Sequence, residues 1–215
     1  MSARGGLPGE GAEAGARERV LGRIRDALLR REPVEHPGPL PDGAGPALAG
    51  SGDVATAFAL AFERSGGEAV LFPDGGRARE WLDRFASGFT GMAPGADVPP
   101  HLRPSLPEMD PSSAPLGVSV AVAAAAATGS LVLASRGGRA PQLLPPVHLV
   151  WVEAGAIAPD LPSALAAAAG RGLPAVLALH SGPSKSSDIG RIVVTGVHGP
   201  GRVVAAVVGV EIPSG

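Results

Sequence analysis

The fold of this chain is decided by an uncharged stretch, LGVSVAVAAAAATGSLVLAS, at residues 116–135. Valine, leucine and alanine run without polar alternation on either side of Thr128-Gly129-Ser130, which is typical of buried strands joined by a polar turn. The wider uncharged run 111–135 is long enough for a membrane span. Because alanine favours lipid only weakly, we predict instead two buried strands, Leu116–Ala126 and Ser130–Ser135.

Helix and strand patterns alternate on both sides of this stretch. Strands are predicted at residues 68–72, 147–153, 175–179, 192–195 and 203–210, each rich in β-branched or other apolar residues. Helices are predicted at residues 53–65, 74–87 and 160–169. This alternation predicts an α/β protein with a mostly parallel sheet.

The composition divides the chain into four predicted segments. Residues 1–16 are rich in glycine and alanine and are predicted to be a flexible tail. Residues 17–32 carry apolar side chains at helical spacing and predict an amphipathic helix, which either folds back on its own domain or binds a partner. Residues 33–52 are rich in proline and glycine and predict a linker. Residues 53–215 are predicted to form the α/β domain.

Charge and cysteine content exclude several classes of function. The formal net charge is -2, so the chain lacks the basic surface of a nucleic-acid-binding protein. Cysteine is absent, which excludes thiolate zinc sites and iron–sulfur clusters ligated by this chain. The five histidines are far apart in sequence, so no metal site is predicted. No signal-like segment is visible at the amino terminus, and the predicted location is the cytoplasm.

The densest run of hydrogen-bonding residues is HSGPSKSSD at residues 180–188, which contains the chain's single lysine, Lys185. It follows an apolar strand pattern, and α/β proteins place binding sites in loops at strand ends. It is not a P-loop, because Ser184 and Leu179 stand where that loop needs glycine. Its hydroxyls, and the N–H groups of a following helical turn, could hold a carboxylate or phosphate. The alternative is a serine-capped helix start with Lys185 in solvent.

Two other clusters are candidates for chemistry. His198 lies in a glycine-bounded turn, TGVHGP at residues 195–200, where it could move a proton or bind a carboxylate, or only complete the turn's hydrogen bonds. Thr128-Gly129-Ser130 marks a close approach of the backbone to a ligand or to another loop. His148 is more typical of a strand-end residue than of a ligand-binding one.

Four motifs occur together in order: ATGSLVL at 127–133, LPPVH at 144–148, SGPSKSSDI at 181–189 and GVHGP at 196–200. Together they resemble the LUD domain of the lactate-utilisation protein C family, most densely from Leu116 to Val210. The resemblance implies a three-layer α/β/α sandwich similar to ribose-5-phosphate isomerase and CoA transferases. From the clusters that this family pattern brings together, we predict His198 and Asp188 as catalytic residues. The predicted substrate-binding residues are Thr128, Gly129, Ser130, Ser181, Gly182, Ser184, Lys185, Ser186 and Gly199.

The resemblance also implies a cytoplasmic component of a system that oxidises L-lactate to pyruvate. Its partners would be cysteine-rich and iron–sulfur subunits, with no cofactor bound by this chain. Ala127 and Gly190 stand where the family commonly has glutamate, so two candidate acid–base groups are missing. A non-catalytic assembly protein, or a diverged sugar-phosphate or CoA-ester enzyme on the same fold, therefore remains an alternative.

Overall fold

The computed structural model describes residues 10–30, 53–187, 193–196 and 198–210. Its helices are α1 (Glu10–Leu29), α2 (Val54–Arg64), α3 (Gly75–Ala86), α4 (Ala140–Leu143) and α5 (Leu161–Gly170). Its strands are β1 (Glu68–Phe72), β2 (Met92–Pro94), β3 (Leu116–Val120), β4 (Ala123–Ala125), β5 (Ser130–Ala134), β6 (Val147–Glu153), β7 (Ile157–Ala158), β8 (Leu177–His180), β9 (Lys185–Ser187), β10 (Val193–Thr195) and β11 (Arg202–Val208).

The chain divides into two compact units, Met1–Asp42 and Gly43–Gly215. The first unit contains α1, which begins at Glu10, within the segment predicted as a tail. Alanine and glutamate are good helix formers, and between Glu10 and Ala16 they outweigh two glycines. The predicted linker at 33–52 lies outside the described residues. In the described part of the chain, no helix combines the length and the hydrophobicity that crossing a membrane requires.

The second unit is built on a five-stranded sheet in the order β1-β11-β6-β3-β2, with every neighbouring pair parallel. Side chains of the central strands point alternately to its two faces. On β11, Val203, Ala205 and Val207 belong to one hydrophobic cluster, whereas Val204 and Ala206 belong to another. A sheet buried on both faces accounts for the uninterrupted apolar runs in the sequence.

Different layers cover the two faces. Helix α3 packs on one face, where Leu82 meets Leu149 and Trp151 in the core. The other face is covered by α2, through Phe58 and Phe62, and by a second sheet in the order β7-β4-β5-β8. Helix α5 lies against that second sheet. The predicted α/β sandwich with a mostly parallel sheet is therefore confirmed, although a small sheet forms part of one outer layer.

The second sheet also corrects one prediction. Residues 116–126 were expected to form one strand, but they form β3 in the central sheet and β4 in the second sheet. The chain changes sheets at Ala121 and Val122, whose N–H groups donate to Trp151 and Val132, one in each sheet. An unbroken alanine–valine run carries no periodicity that could reveal such a change.

Gly129 is required by packing against α2. It adopts a φ of 59°, and a β-carbon at this position would overlap the backbone of Phe62. The close approach expected at Thr128-Gly129-Ser130 is therefore an approach to a helix. This contact explains why glycine is required at position 129, and no ligand is needed to explain it.

We predict that Gly129→Ala destabilises the protein more than Gly138→Ala. Both glycines have positive φ, 59° and 105°, so both alanines carry backbone strain of about 1 kcal/mol. At Gly138 an added β-carbon meets no atom within 4 Å, whereas at Gly129 it adds a clash worth about 1–3 kcal/mol. Urea unfolding measures the difference, and equal losses would contradict this packing.

Candidate functional site

The Lys185 run lines an open cleft of about 350 Å³. Six of the predicted site residues line this cleft: Ser181, Gly182, Ser184, Lys185, His198 and Gly199. They come from two segments, one running from the end of β8 to the first residue of β9 and the other connecting β10 and β11. The convergence of these two segments, far apart in sequence, makes this "Lys185 cleft" the candidate functional site.

The cleft lies at the amino ends of the central strands β6 and β11. The Ser184 N–H donates to the Pro200 carbonyl at 2.9 Å, and the Gly201 N–H donates to the Pro146 carbonyl at 3.0 Å. Pro146 and Gly201 immediately precede the two strands. The expected position at a strand's carboxyl end holds only for β8, which runs antiparallel to β5 in the second sheet.

Lys185 begins a strand and not a helix, so residues 185–187 do not form the helical turn considered from the sequence. β9 pairs with β10 in an antiparallel hairpin, with Lys185 opposite Thr195. The Lys185 Nζ donates to the Ser65 carbonyl at 2.5 Å. Ser65 is the C-cap of α2, where a cation is favoured by about 0.3–1 kcal/mol. The ammonium group has three donors, so this bond leaves two for a ligand.

A chain of hydroxyls joins the Thr128-Gly129-Ser130 turn to the cleft. The Ser130 Oγ lies 2.8 Å from the Thr128 Oγ1 and 2.8 Å from the Ser181 Oγ. Ser130 is buried, whereas Ser181 lines the cleft. Thr128 and Ser130 are therefore placed to orient Ser181 from behind.

The structure does not fully describe two of the predicted site residues. Asp188, the predicted catalytic carboxylate, lies outside the described residues, as does Gly190. Ser186 is described through its backbone alone, in the middle of β9. Both assignments stay predictions.

A pair of histidines behind the cleft was missed from the sequence. His148 is completely buried; its Nε2 lies 2.9 Å from the Ser119 Oγ, and its Nδ1 has no hydrogen-bond partner among the described residues. The ring centroid of His180, which lines the cleft, lies 5.7 Å from that of His148. A buried polar atom without a partner costs about 1–3 kcal/mol, so His148 is not the satisfied strand-end residue expected.

Both histidines have lowered pKa values. Burial lowers the pKa of His148 to about 3, and the charge of a protonated His180 contributes in the same direction. Burial also lowers the pKa of His180, helped by the positive charge of Arg139. Both rings are therefore neutral near pH 7. A neutral imidazole offers one hydrogen-bond donor and one acceptor.

Comparison with known families agrees with these motifs. The sequence profile described as "LUD domain" matches residues 111–208. Residues 111–208 are therefore similar to a LUD domain. The resemblance stated from the four motifs is confirmed, and all the residues that line the Lys185 cleft lie within the matched range 111–208.

Two curated relatives match part of the chain. "Lactate utilization protein C 1" of Bacillus mycoides is 37% identical over 103 residues, which cover 45% of this chain and 44% of that protein. "Lactate utilization protein C" of Halalkalibacterium halodurans is 35% identical over 102 residues, which cover 44% of each. The chain thus matches less than half the length of these relatives.

A solved structure has the same fold. The crystal structure of a DUF162 family protein from Deinococcus radiodurans superposes with a TM-score of 0.53 at 20% sequence identity. The match covers 73% of this chain and 96% of that chain. At this identity the likeness shows the fold alone.

A second cleft, of about 310 Å³, lies at the opposite edge of the central sheet. Its lining is mainly apolar, including Trp151 and Leu82, with Arg79, His101 and Glu153 as its charged or titratable side chains. Most of the lining comes from residues 75–102, outside the range that matches the LUD domain. The Lys185 cleft is the stronger candidate because all of its lining lies within the matched range and it carries more hydrogen-bonding groups.

The buried His148 predicts a pH dependence of stability. Unfolded His148 takes up a proton below about pH 6.5, whereas folded His148 stays neutral until about 3. Because the unfolded state then binds more protons, the free energy of unfolding should fall as the pH is lowered from about 6.5 to 4.5. This group contributes at most about 1.4 kcal/mol per pH unit.

The His148→Gln variant tests this assignment, since glutamine can still bond to Ser119 but does not titrate. Its free energy of unfolding, measured by urea denaturation across the same pH range, should fall less steeply than that of the wild type. Identical slopes would contradict the assignment.

Proposed function

We propose that this chain is a component of an L-lactate utilisation system and that its Lys185 cleft binds a small carboxylate or phosphate anion. The names of the two curated relatives support the first part. The second part rests on one observation, the convergence of Lys185, His198 and the hydroxyls of Ser181 and Ser184 on one cleft.

The charges around the cleft suit an anion. Lys185 and Arg139 are both exposed, and Arg139 lies close enough to His180 to lower its pKa. No aspartate or glutamate lines the cleft in the described part of the chain. A small anion would therefore meet the Lys185 cation and hydroxyl donors, without a facing carboxylate in the described lining, and hydrogen bonds to ionised groups are the stronger kind.

Oxidation of L-lactate to pyruvate releases two electrons, which need an acceptor. This sequence has no cysteine, so it provides no thiolate for an iron–sulfur cluster. We therefore assign the clusters to partner proteins, one cysteine-rich and one iron–sulfur, and assign ligand binding to this chain. The proposed location is the cytoplasm.

An assembly role without catalysis is the second candidate. Ala127 stands at a position where a glutamate would supply an acid–base group, and the described cleft lining has no carboxylate. A CoA-ester enzyme on this fold would usually need such a carboxylate as nucleophile, so the same observation weighs against that alternative.

Deletion of residues 1–32 separates assembly from ligand binding. The assembly role predicts that the deletion abolishes co-purification of partner proteins from cells grown on L-lactate, while Lys185→Ala leaves growth on L-lactate unchanged. The ligand-binding role predicts that Lys185→Ala impairs this growth. Co-purification with the deletion variant and the growth rate of the Lys185→Ala strain, each compared with the wild type, decide between the two roles.

Isothermal titration calorimetry with L-lactate, pyruvate and a sugar phosphate tests the anion site. At least one of these ligands should bind the wild type. Lys185→Ala should weaken its binding by roughly tenfold, because one charge-assisted hydrogen bond is lost. Lys185→Arg should retain most of the affinity, because the cleft needs a fixed positive charge.

Arg77→Ala is the matched control, because it removes a cation on the exposed side of α3. It should leave the affinity unchanged. Loss of binding in the arginine variant but not in the alanine variant, or no binding of any ligand by the wild type, would contradict the anion site.

A further inference from the structure

An unsatisfied buried group lies next to His180, a residue that lines the Lys185 cleft. His148 has no solvent exposure, and its Nε2 bonds with the Ser119 hydroxyl. Its Nδ1 meets no partner in the described part of the chain. Buried polar atoms in folded proteins nearly always have a partner, so an unsatisfied one points to water or a ligand.

His180 connects this group to the cleft. It is the last residue of β8, and its ring stands edge-on to that of His148, at an interplanar angle of 71°. The next residue, Ser181, is bonded to the buried Ser130. His180 is therefore held at the cleft wall by a buried ring behind it and by a fixed neighbour in the chain.

The charged and titratable groups around His180 come from several elements. They are His148 from β6, Arg139 from the start of α4, Lys185 from β9 and His198 from the connection to β11. Among the described residues around His180, none is an acid. In the free protein, burial and Arg139 keep His180 neutral, because both lower its pKa. An anion in the cleft would add the missing negative charge and favour the protonated ring.

We propose that His180 hydrogen-bonds the anion in the Lys185 cleft and takes up a proton as the anion binds, with His148, anchored by Ser119, as its positioning residue. This inference rests on the proposed anion site. It assigns the proton-carrying role to His180, in place of the more exposed His198. The proton comes from solvent, so no other group changes its charge.

Proton uptake on binding predicts the direction in which the affinity changes with pH. A group whose pKa rises on binding makes the affinity increase as the pH falls, between the pKa of the complex and that of the free protein. The carboxylates of L-lactate and pyruvate stay ionised between about pH 5.5 and 7.5. The pKa of His180 lies below its ordinary value in the free protein, because of burial and Arg139, and a bound anion would raise it. These two anions are therefore the probes, and phosphate, which titrates itself, is unsuitable.

The experiment is calorimetric titration of L-lactate and pyruvate across this pH range, in pairs of buffers with different ionisation enthalpies. The wild type should take up as much as one proton for each anion bound. His180→Gln should abolish the uptake and weaken binding. His198→Gln should retain the uptake, and so should His101→Gln, which removes a histidine at the other cleft.

The His148 variants test positioning. His148→Phe keeps a ring but loses both nitrogens, so it should weaken binding by roughly tenfold. His148→Gln, which can still bond to Ser119, should retain more of the affinity and of the proton uptake. Circular dichroism confirms that each variant is folded. If the phenylalanine variant does not fold, Ser119→Ala replaces it and should also reduce the uptake.

The outcomes separate this inference from the proposed function. If the wild type binds neither anion, both the proposed anion site and the proposed role of His180 are refuted. If the wild type binds an anion but His180→Gln leaves the proton uptake unchanged, or His198→Gln abolishes it, the anion site stands and the role of His180 is refuted.

Discussion

The carboxyl-terminal end of α2 supports two loops, the Thr128-Gly129-Ser130 turn and the Lys185 run. Gly129 packs against the backbone of Phe62, a residue buried in the core. A β-carbon at Gly182 would lie 2.7 Å from the Ser65 carbonyl oxygen, and Lys185 donates to that same oxygen. Glycine at both contacts lets the two loops approach the helix end closely, and the lysine charge complements the helix dipole there.

This support explains why the site lies where it does. The second sheet, which packs with α2 on one face of the central sheet, carries β8 to the amino ends of β6 and β11. The carboxyl end of an antiparallel strand and the amino ends of parallel strands therefore meet at one cleft. The result departs from the usual placement of sites in open α/β sheets, which is outside the carboxyl ends of parallel strands.

The sequence was sufficient to predict most of the fold, because the signals for it are local. Residues 68–72 and 147–153 form strands as predicted, since apolar runs there are bounded by turn residues. The split between β3 and β4 could not be predicted, because an alanine run fits either sheet. Lys185 was expected before a helical turn because serine and aspartate favour helix starts and hairpin turns alike.

The site was predictable where its residues are close in sequence. The Lys185 run and the turn containing His198 carry their own hydrogen-bonding signals, and the structure brings them together. The His148–His180 contact joins β6 to β8, and it depends on how the two sheets pack. Neither histidine has a nearby partner in sequence, so only the tertiary structure reveals the pair.

The central claim is that the ligand site lies at the amino edge of the central sheet, in the Lys185 cleft. A crystal structure of the protein grown with L-lactate tests it most directly. We predict electron density for the carboxylate between Lys185, the Ser181 hydroxyl and His180. Density in the opposite cleft, beside Arg79 and His101, would contradict the account.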